Sequence, residues 1–286
     1  MEDFIKADGV YFSYDENKNE FVLKDISFDI KKGEMVAIVG ANGSGKSTLS
    51  KMLNAILIPT KGKIFVDGLD CSKKENILKI RKNIGLILQD PDNQIVATVV
   101  EEDVAFALEN LCVPQNEMIE KIERSLYLVN MNKFKKELVE NLSGGQKSKV
   151  SIAGVLAMDP KCIIFDESTA MLDPKSRKEV LNIMGDLNKK KGTTIINITH
   201  NIDEIVFFDS VIVLKDGKIL KKDTPKNIFS NNSILKEAGL CLPQIPKFIN
   251  LLYEEGIVEK KVALDVDECV SILASLLKGA KTFNND

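Results

Sequence analysis

The chain has 286 residues, 44% of them hydrophobic and 28% charged, enough to bury roughly three quarters of its unfolded surface in one large α/β domain with a small appendage. That composition excludes disordered, collagen-like and low-complexity classes. A formal charge of −3, with lysine supplying nearly all positive charge beside Arg81, Arg124 and Arg177, speaks against a nucleic-acid partner.

Short β-rich runs at 10–14, 21–30 and 62–68, bounded by turn residues, predict an antiparallel sheet. Residues 35–39 form a continuous apolar run, as expected of a strand buried on both faces. A glycine-rich turn follows at 40–47, then a helix over 48–56. A second buried strand covers 84–88 and stops at Gln89. From 99 to 158 the pattern is helical. Two more buried strands are predicted at 162–165, ending in Asp166 and Glu167, and at 193–198, ending in Thr199 and His200. A hairpin is expected over 210–214 and 217–220, and Thr224 with Pro225 reads as a helix start.

Beyond 231 the character changes to two amphipathic segments, 246–255 and 265–278. In the second, Val266, Val270, Leu273 and Leu277 form an apolar stripe. The division expected is therefore 1–231 as the main domain, with a helical subdomain near 98–160, and 232–286 as a helical tail. Five cysteines without a C-x-x-C spacing suggest neither a metal nor a disulfide framework. No signal peptide and no membrane-spanning stretch is expected.

The turn Gly40-Ala41-Asn42-Gly43-Ser44-Gly45-Lys46-Ser47 fits G-x-x-x-x-G-K-[ST] between a buried strand and a helix. Its amides and the helix N-terminus that includes Thr48 would cradle phosphates. Lys46 would reach the β- and γ-phosphates of ATP, and the Ser47 hydroxyl would bind Mg²⁺. Asp166, at a strand end, would hold the same ion. Glu167 is placed to orient or activate the attacking water. His200, the only histidine, follows a buried strand where open α/β sheets bind ligands. Ser143-Gly144-Gly145-Gln146 reads as a helix entry capped by Ser143, with free amides able to bind an anion.

In this order the elements resemble the ATP-binding cassette (ABC) ATPases over residues 4–230. The resemblance implies an α/β P-loop ATPase core: a mixed sheet, an antiparallel β subdomain and a helical subdomain. It makes Tyr14 the aromatic that stacks on adenine, Gly40 to Thr48 the ATP loop, Gln89 the Q-loop ligand of Mg²⁺ and water, and His200 the H-loop histidine. It also makes Ser143, Gly144, Gly145 and Gln146 the signature and Asp173 the D-loop aspartate. Two such domains would pair head to tail, so that the signature serves the partner's nucleotide.

A narrower resemblance lies in the run from Gln89 to Gln94, the helix that follows, the segment from Ser168 to Pro174 and the tail. It is to the cobalt-type, or energy-coupling factor, ATPases, which power uptake of vitamins or of ions such as cobalt and nickel. Met171 resembles the first of two non-identical ATPases in shared modules. The resemblance implies a heterodimer with a second ABC ATPase in preference to a homodimer. It also implies a transmembrane coupling protein, a substrate-binding membrane protein and a peripheral position on the cytoplasmic face. Some of the acidic residues Asp90, Asp92, Glu101, Glu102 and Asp103 would pair with arginines of the coupling protein, the alternative being a solvated helix start, where acids are favoured in any case. Lys147-Ser148-Lys149 and Ser168 depart from common family patterns. The alternative function is a soluble ABC ATPase of a non-membrane assembly such as iron–sulfur cluster building.

Overall fold

Three strands buried along their whole length set the architecture. A computed structural model describes residues 3–15, 20–259 and 262–282, the side chains of 277–282 aside. In chain order the elements are β1 (Asp3–Phe12), β2 (Leu23–Lys31), β3 (Met35–Val39), α1 (Lys46–Leu53), β4 (Lys61–Val66), β5 (Leu69–Asp70), α2 (Lys74–Asn83) and β6 (Ile84–Ile87). Then come α3 (Val100–Asn110), α4 (Gln115–Leu128), α5 (Gly144–Ala157), β7 (Cys162–Asp166), α6 (Pro174–Lys191) and β8 (Thr194–Thr199). The chain closes with β9 (Ser210–Lys215), β10 (Lys218–Asp223), α7 (Pro225–Ser230), α8 (Asn232–Glu237), α9 (Gln244–Glu254) and α10 (Val266–Thr282).

The principal sheet has the order β10-β9-β3-β8-β7-β6. Its β9-β3-β8-β7-β6 part is parallel, and β10 returns antiparallel on the edge. Strands β3, β7 and β8 are buried throughout, which is why they read as unbroken apolar runs rather than alternating ones. Alternate side chains of β3 feed two cores. Met35, Ala37 and Val39 join the helices on one face, and Val36 and Ile38 meet the antiparallel sheet on the other.

That second sheet, β2-β1-β4-β5, is antiparallel. Its first strand begins earlier than the sequence pattern suggests. Phe4, Ile5, Ala7 and Val10 are all buried, but a register shift between Ala7 and Val10 interrupts the period of two. The β9-β10 hairpin turns at Asp216 and Gly217, both at positive φ as a tight hairpin turn requires.

Helices α3, α4 and α5 pack on one another beside the principal sheet and share its larger core. Beyond residue 231 the packing is not uniform. Leu235, Ala238 and Leu240 belong to the main core, whereas Ile249, Ala263 and Cys269 form a small core of their own. The change in packing thus falls one short helix after residue 231. The apolar stripe expected on α10 is divided. Val266 and Val270 are 61% and 56% exposed, whereas Leu273 packs with Ile272 beside the buried Cys269 in the small core. Periodicity finds an apolar face but does not say what covers it. The Leu277 side chain lies outside the described residues. The five cysteines are free, and among the described residues no helix is long and apolar enough to cross a membrane.

Candidate functional site

Parallel topology carries the C-terminal ends of β3, β7 and β8 to one edge of the sheet, where three chain segments meet. The turn after β3 holds Gly45 at φ 101, a conformation open to glycine, and a Cβ there would lie 2.6 Å from Leu23 Cδ2. Lys46 follows as the first residue of α1 and is 4% exposed. Its Nζ donates to the carbonyls of Gly40 at 3.0 Å and Ala41 at 3.1 Å. The same Nζ lies 3.3 Å from Glu167 Oε1.

Asp166 and Glu167 are neighbours on the chain, and strand alternation alone would send them to opposite faces. The backbone resolves this: Glu167 sits at φ 52, in the left-handed region. Its amide is held by the Ile198 carbonyl at 2.9 Å. A non-glycine residue in that conformation carries local strain of the kind concentrated at working sites. The turn brings Glu167 Oε2 to 3.5 Å from His200 Nδ1, so one carboxylate faces the P-loop lysine and the histidine together.

Asp166 is buried and works as an acceptor on both oxygens. Oδ1 accepts from Ser47 Oγ at 3.0 Å and Oδ2 from Ser50 Oγ at 2.7 Å. Burial pushes its carboxyl above the ordinary range, the Ser50 and Ser47 hydroxyls pull it back, and the charge of Glu167 adds to the rise. These residues fit a magnesium ion. A hydroxyl and a carboxylate, both hard oxygen donors, stand side by side, and a carboxylate that is costly to keep ionised gains a counter-charge.

Asn42, Gly43, Gly45, Lys46, Ser47, Thr48, Gln89 and Glu167, with Val22, line one open cleft of 380 Å³. Gly40 and Ala41 do not line it; their carbonyls hold Lys46. Ser44 is buried, and its hydroxyl has no hydrogen-bond partner among the described residues. Tyr14 is tied to α1, its hydroxyl 3.2 Å from Thr48 Oγ1, with its ring edge-to-face on Phe12.

Ser143, Gly144, Gly145, Gln146 and Asp173 do not line that cleft. Ser143 caps α5 in a reciprocal box: its Oγ accepts from the Gln146 amide at 3.3 Å, and Gln146 Oε1 accepts from the Ser143 amide at 2.8 Å. Asp173 caps α6, accepting from the amides of Lys175 and Ser176 at 3.0 and 3.1 Å. Hydrogen bonding to Ser176 holds its carboxyl below the usual range. The two caps are packed together. A Cβ on Gly145 would stand 2.6 Å from Ser176 Oγ, whereas one on Gly144 would meet open space.

Sequence reasoning passes over Ser50 and Val22. Ser50 was readable: it follows Ser47 by three residues and shares its helix face. Val22 carries no signal, because its place at the cleft depends on the antiparallel sheet docking against the P-loop.

The pattern of the ABC transporter family matches residues 23–170. The chain is 49% identical over 278 residues to the energy-coupling factor transporter ATP-binding protein EcfA1 of Clostridioides difficile (strain 630), covering 96% of this chain and 100% of that one. The solved structure of cbiO1 from Clostridium perfringens, described as part of the ABC transporter complex cbiONQ, superposes with a TM-score of 0.76 at 36% identity. That match covers 87% of this chain and 100% of cbiO1. The ATP-binding cassette MJ0796, in a dimeric post-hydrolysis state bound to ADP and Pi, gives a TM-score of 0.71 at 28% identity over 77% of this chain and 98% of that one.

Proposed function

This chain belongs to the ABC transporter family, as an ATP-binding protein of the energy-coupling factor branch, and we propose that it is the first ATPase of a shared uptake module. It is a transport-coupled ATPase with the α/β P-loop core of that family. In our reading it pairs head to tail with a second, non-identical ATPase on the cytoplasmic face of the membrane. A transmembrane coupling protein and separate substrate-binding membrane proteins complete the module. The cargo is a vitamin or a transition-metal ion such as cobalt or nickel.

One observation carries the chemistry: Lys46, Ser47, Asp166, Glu167 and His200, drawn from three strand ends, converge on one cleft edge. The P-loop amides and Lys46 bind the β- and γ-phosphates of ATP, and Tyr14 stacks on adenine. Ser47 and Asp166, with Gln89, would hold Mg²⁺, which when bound neutralises phosphate charge. Glu167 orients the attacking water and takes its proton as the new oxygen–phosphorus bond forms and the bond to the ADP oxygen breaks. His200 donates to the γ-phosphate and holds Glu167 in place. Ser143, Gly144, Gly145 and Gln146 act on the partner's ATP, with Asp173 at the seam. ATP thereby favours the closed pair and hydrolysis reopens it, a ligand-biased two-state element able to drive transport.

A cleft of 360 Å³ beside the Q-loop is the proposed seat of the coupling protein. It is lined by Ile56, Arg81, Val96, Asp103 and Phe106 among others, with Val96 and Phe106 exposed. Of the acidic residues nearby, Asp103 accepts from the Val96 and Ala97 amides, and Asp90 closes its own turn. Glu101 is paired with Lys136 and Asp92 with Lys147. Glu102 is exposed on the first turn of α3 and engages no side chain among the described residues. It is therefore the best placed to meet a partner arginine. The exposed apolar faces of α9 and α10, including Phe248, Leu251, Val266 and Val270, suit contact with the second ATPase. Affinity purification of the tagged chain from detergent-solubilised membranes tests the assembly. Recovery of a second ATPase and integral membrane proteins supports it, and recovery of soluble assembly factors alone overturns it.

A further inference from the structure

Behind the catalytic edge lies a buried polar cluster that the steps above do not use. Its centre is Glu204, in the 3-10 segment Ile202–Phe207 that follows His200, and it is 2% exposed. Oε1 accepts from Thr169 Oγ1 at 2.9 Å and from Asn201 Nδ2 at 3.4 Å, with Arg177 Nε 3.8 Å away. Oε2 accepts from Asn197 Nδ2 at 3.1 Å. A carboxylate this deeply buried persists only where its acceptor sites are filled and its charge is matched.

Each partner belongs to a different part of the catalytic edge. Thr169 lies two residues beyond Glu167, and the Ala170 amide, next in the chain, donates to the Glu167 carbonyl at 3.0 Å. Asn201 adjoins His200. Asn197 is the one amide inside β8 and is fully buried, yet its own Oδ1 has no hydrogen-bond partner among the described residues. Its orientation therefore serves Glu204 at a cost to itself. Arg177 lies on α6, which Asp173 caps. It donates from Nε to the Thr169 carbonyl and from Nη2 to the Leu172 carbonyl, both at 3.3 Å. Glu204 and Arg177 thus grip the segment 169–172 from two sides, and that segment joins Glu167 to Asp173.

We propose that Glu204 is a positioning residue for hydrolysis: by binding Thr169, Asn201 and Asn197 and pairing with Arg177, it fixes Glu167 and His200 relative to each other. It also ties them to the α6 cap at the seam with the partner. The proposal rests on the reading that Glu167 and His200 act at the γ-phosphate. Glu204 touches neither ATP nor water. Its effect belongs to kcat, because the P-loop that binds ATP does not depend on the cluster.

The test uses the assembled transporter carrying E204Q, T169V or the pair, with E167Q in parallel. For E204Q the expected result is a kcat at saturating ATP reduced about tenfold or more, since small misplacements of reacting groups carry large rate penalties. KM and ATP affinity should stay within about twofold, with a cooperative melting transition retained. T169V, which removes only the hydroxyl, should lower kcat in the same direction. The pair should fall no further than E204Q alone, as expected of residues acting through one contact. If E204Q does not yield folded protein, T169V decides by the same split between kcat and KM. Wild-type kcat in these variants, or parallel loss of kcat and ATP affinity, overturns the proposal. Should E167Q itself turn over at the wild-type rate, the underlying reading falls and this one with it. An inactive E167Q beside a fully active E204Q removes the Glu204 role alone.

Discussion

The two segments proposed to bind phosphate are both glycine-rich helix entries, yet the fold treats them differently. The P-loop is built inward. Lys46 is buried, Gly45 packs against Leu23, and the carboxylates of two neighbouring residues are turned to meet it. The signature is built outward. Its serine and glutamine satisfy each other, Gly145 is pressed onto Ser176, and Gly144 faces open space. One segment meets carboxylates from another part of the chain; the other is closed on its own helix cap and packed on Ser176. The difference teaches that a helix N-terminus becomes half of a site only when something else completes it. In the proposed pairing, that completion would come from a second ATPase.

The largest expected effect breaks the inward half alone. E167Q removes the carboxylate that would take the proton, so turnover at this chain's own nucleotide should drop by about a hundredfold or more. ATP should still bind, and size-exclusion chromatography with ATP should show the paired form accumulate. Next, K46A should weaken ATP binding about ten- to a hundredfold, the range expected on losing charged hydrogen bonds to phosphate. Calorimetric titration of the isolated chain checks this. S143A sharpens the contrast: ATP affinity of the isolated chain should be unchanged, while hydrolysis by the assembled pair should fall about threefold to tenfold. The loss of the cap itself should cost about 1 kcal/mol. A fall in ATP affinity in the isolated chain would contradict the outward assignment.

The smallest effect concerns stability. Burial raises the Asp166 carboxyl above its ordinary value. Its contribution to folding is therefore full below the ordinary carboxylate range and is lost as pH rises through the raised value. At neutral pH the ionised group works against the fold. D166N should then melt about 1–2 °C higher than the wild-type chain without nucleotide at pH 7, and the gain should vanish in mild acid. The same variant should not hydrolyse ATP.

The contrast also explains how much was legible. The P-loop, the three buried strands and their terminal residues Asp166, Glu167 and His200 announce themselves because local pattern and chemistry coincide there. What the sequence could not show is the left-handed turn at Glu167 that aims it, since φ at a glutamate has no signature in composition. The register shift in β1 hid half of that strand. On α10 the apolar period was visible, but which face the small core would take depended on α9 and Ala263, which are distant in pattern. Asn197 offered a signal that was passed over: a lone amide in a fully buried strand implies a buried partner.

The most direct test of the central claim is ATP hydrolysis by a mixed pair. An E167Q copy of this chain is assembled with its second ATPase, and S143A is placed either in the same chain or left wild type. If the signature serves the partner's nucleotide, S143A in this chain should further reduce the turnover that remains at the partner's P-loop. If residual turnover is the same with and without S143A, the signature does not act across the pair, and the account of an outward half-site is wrong.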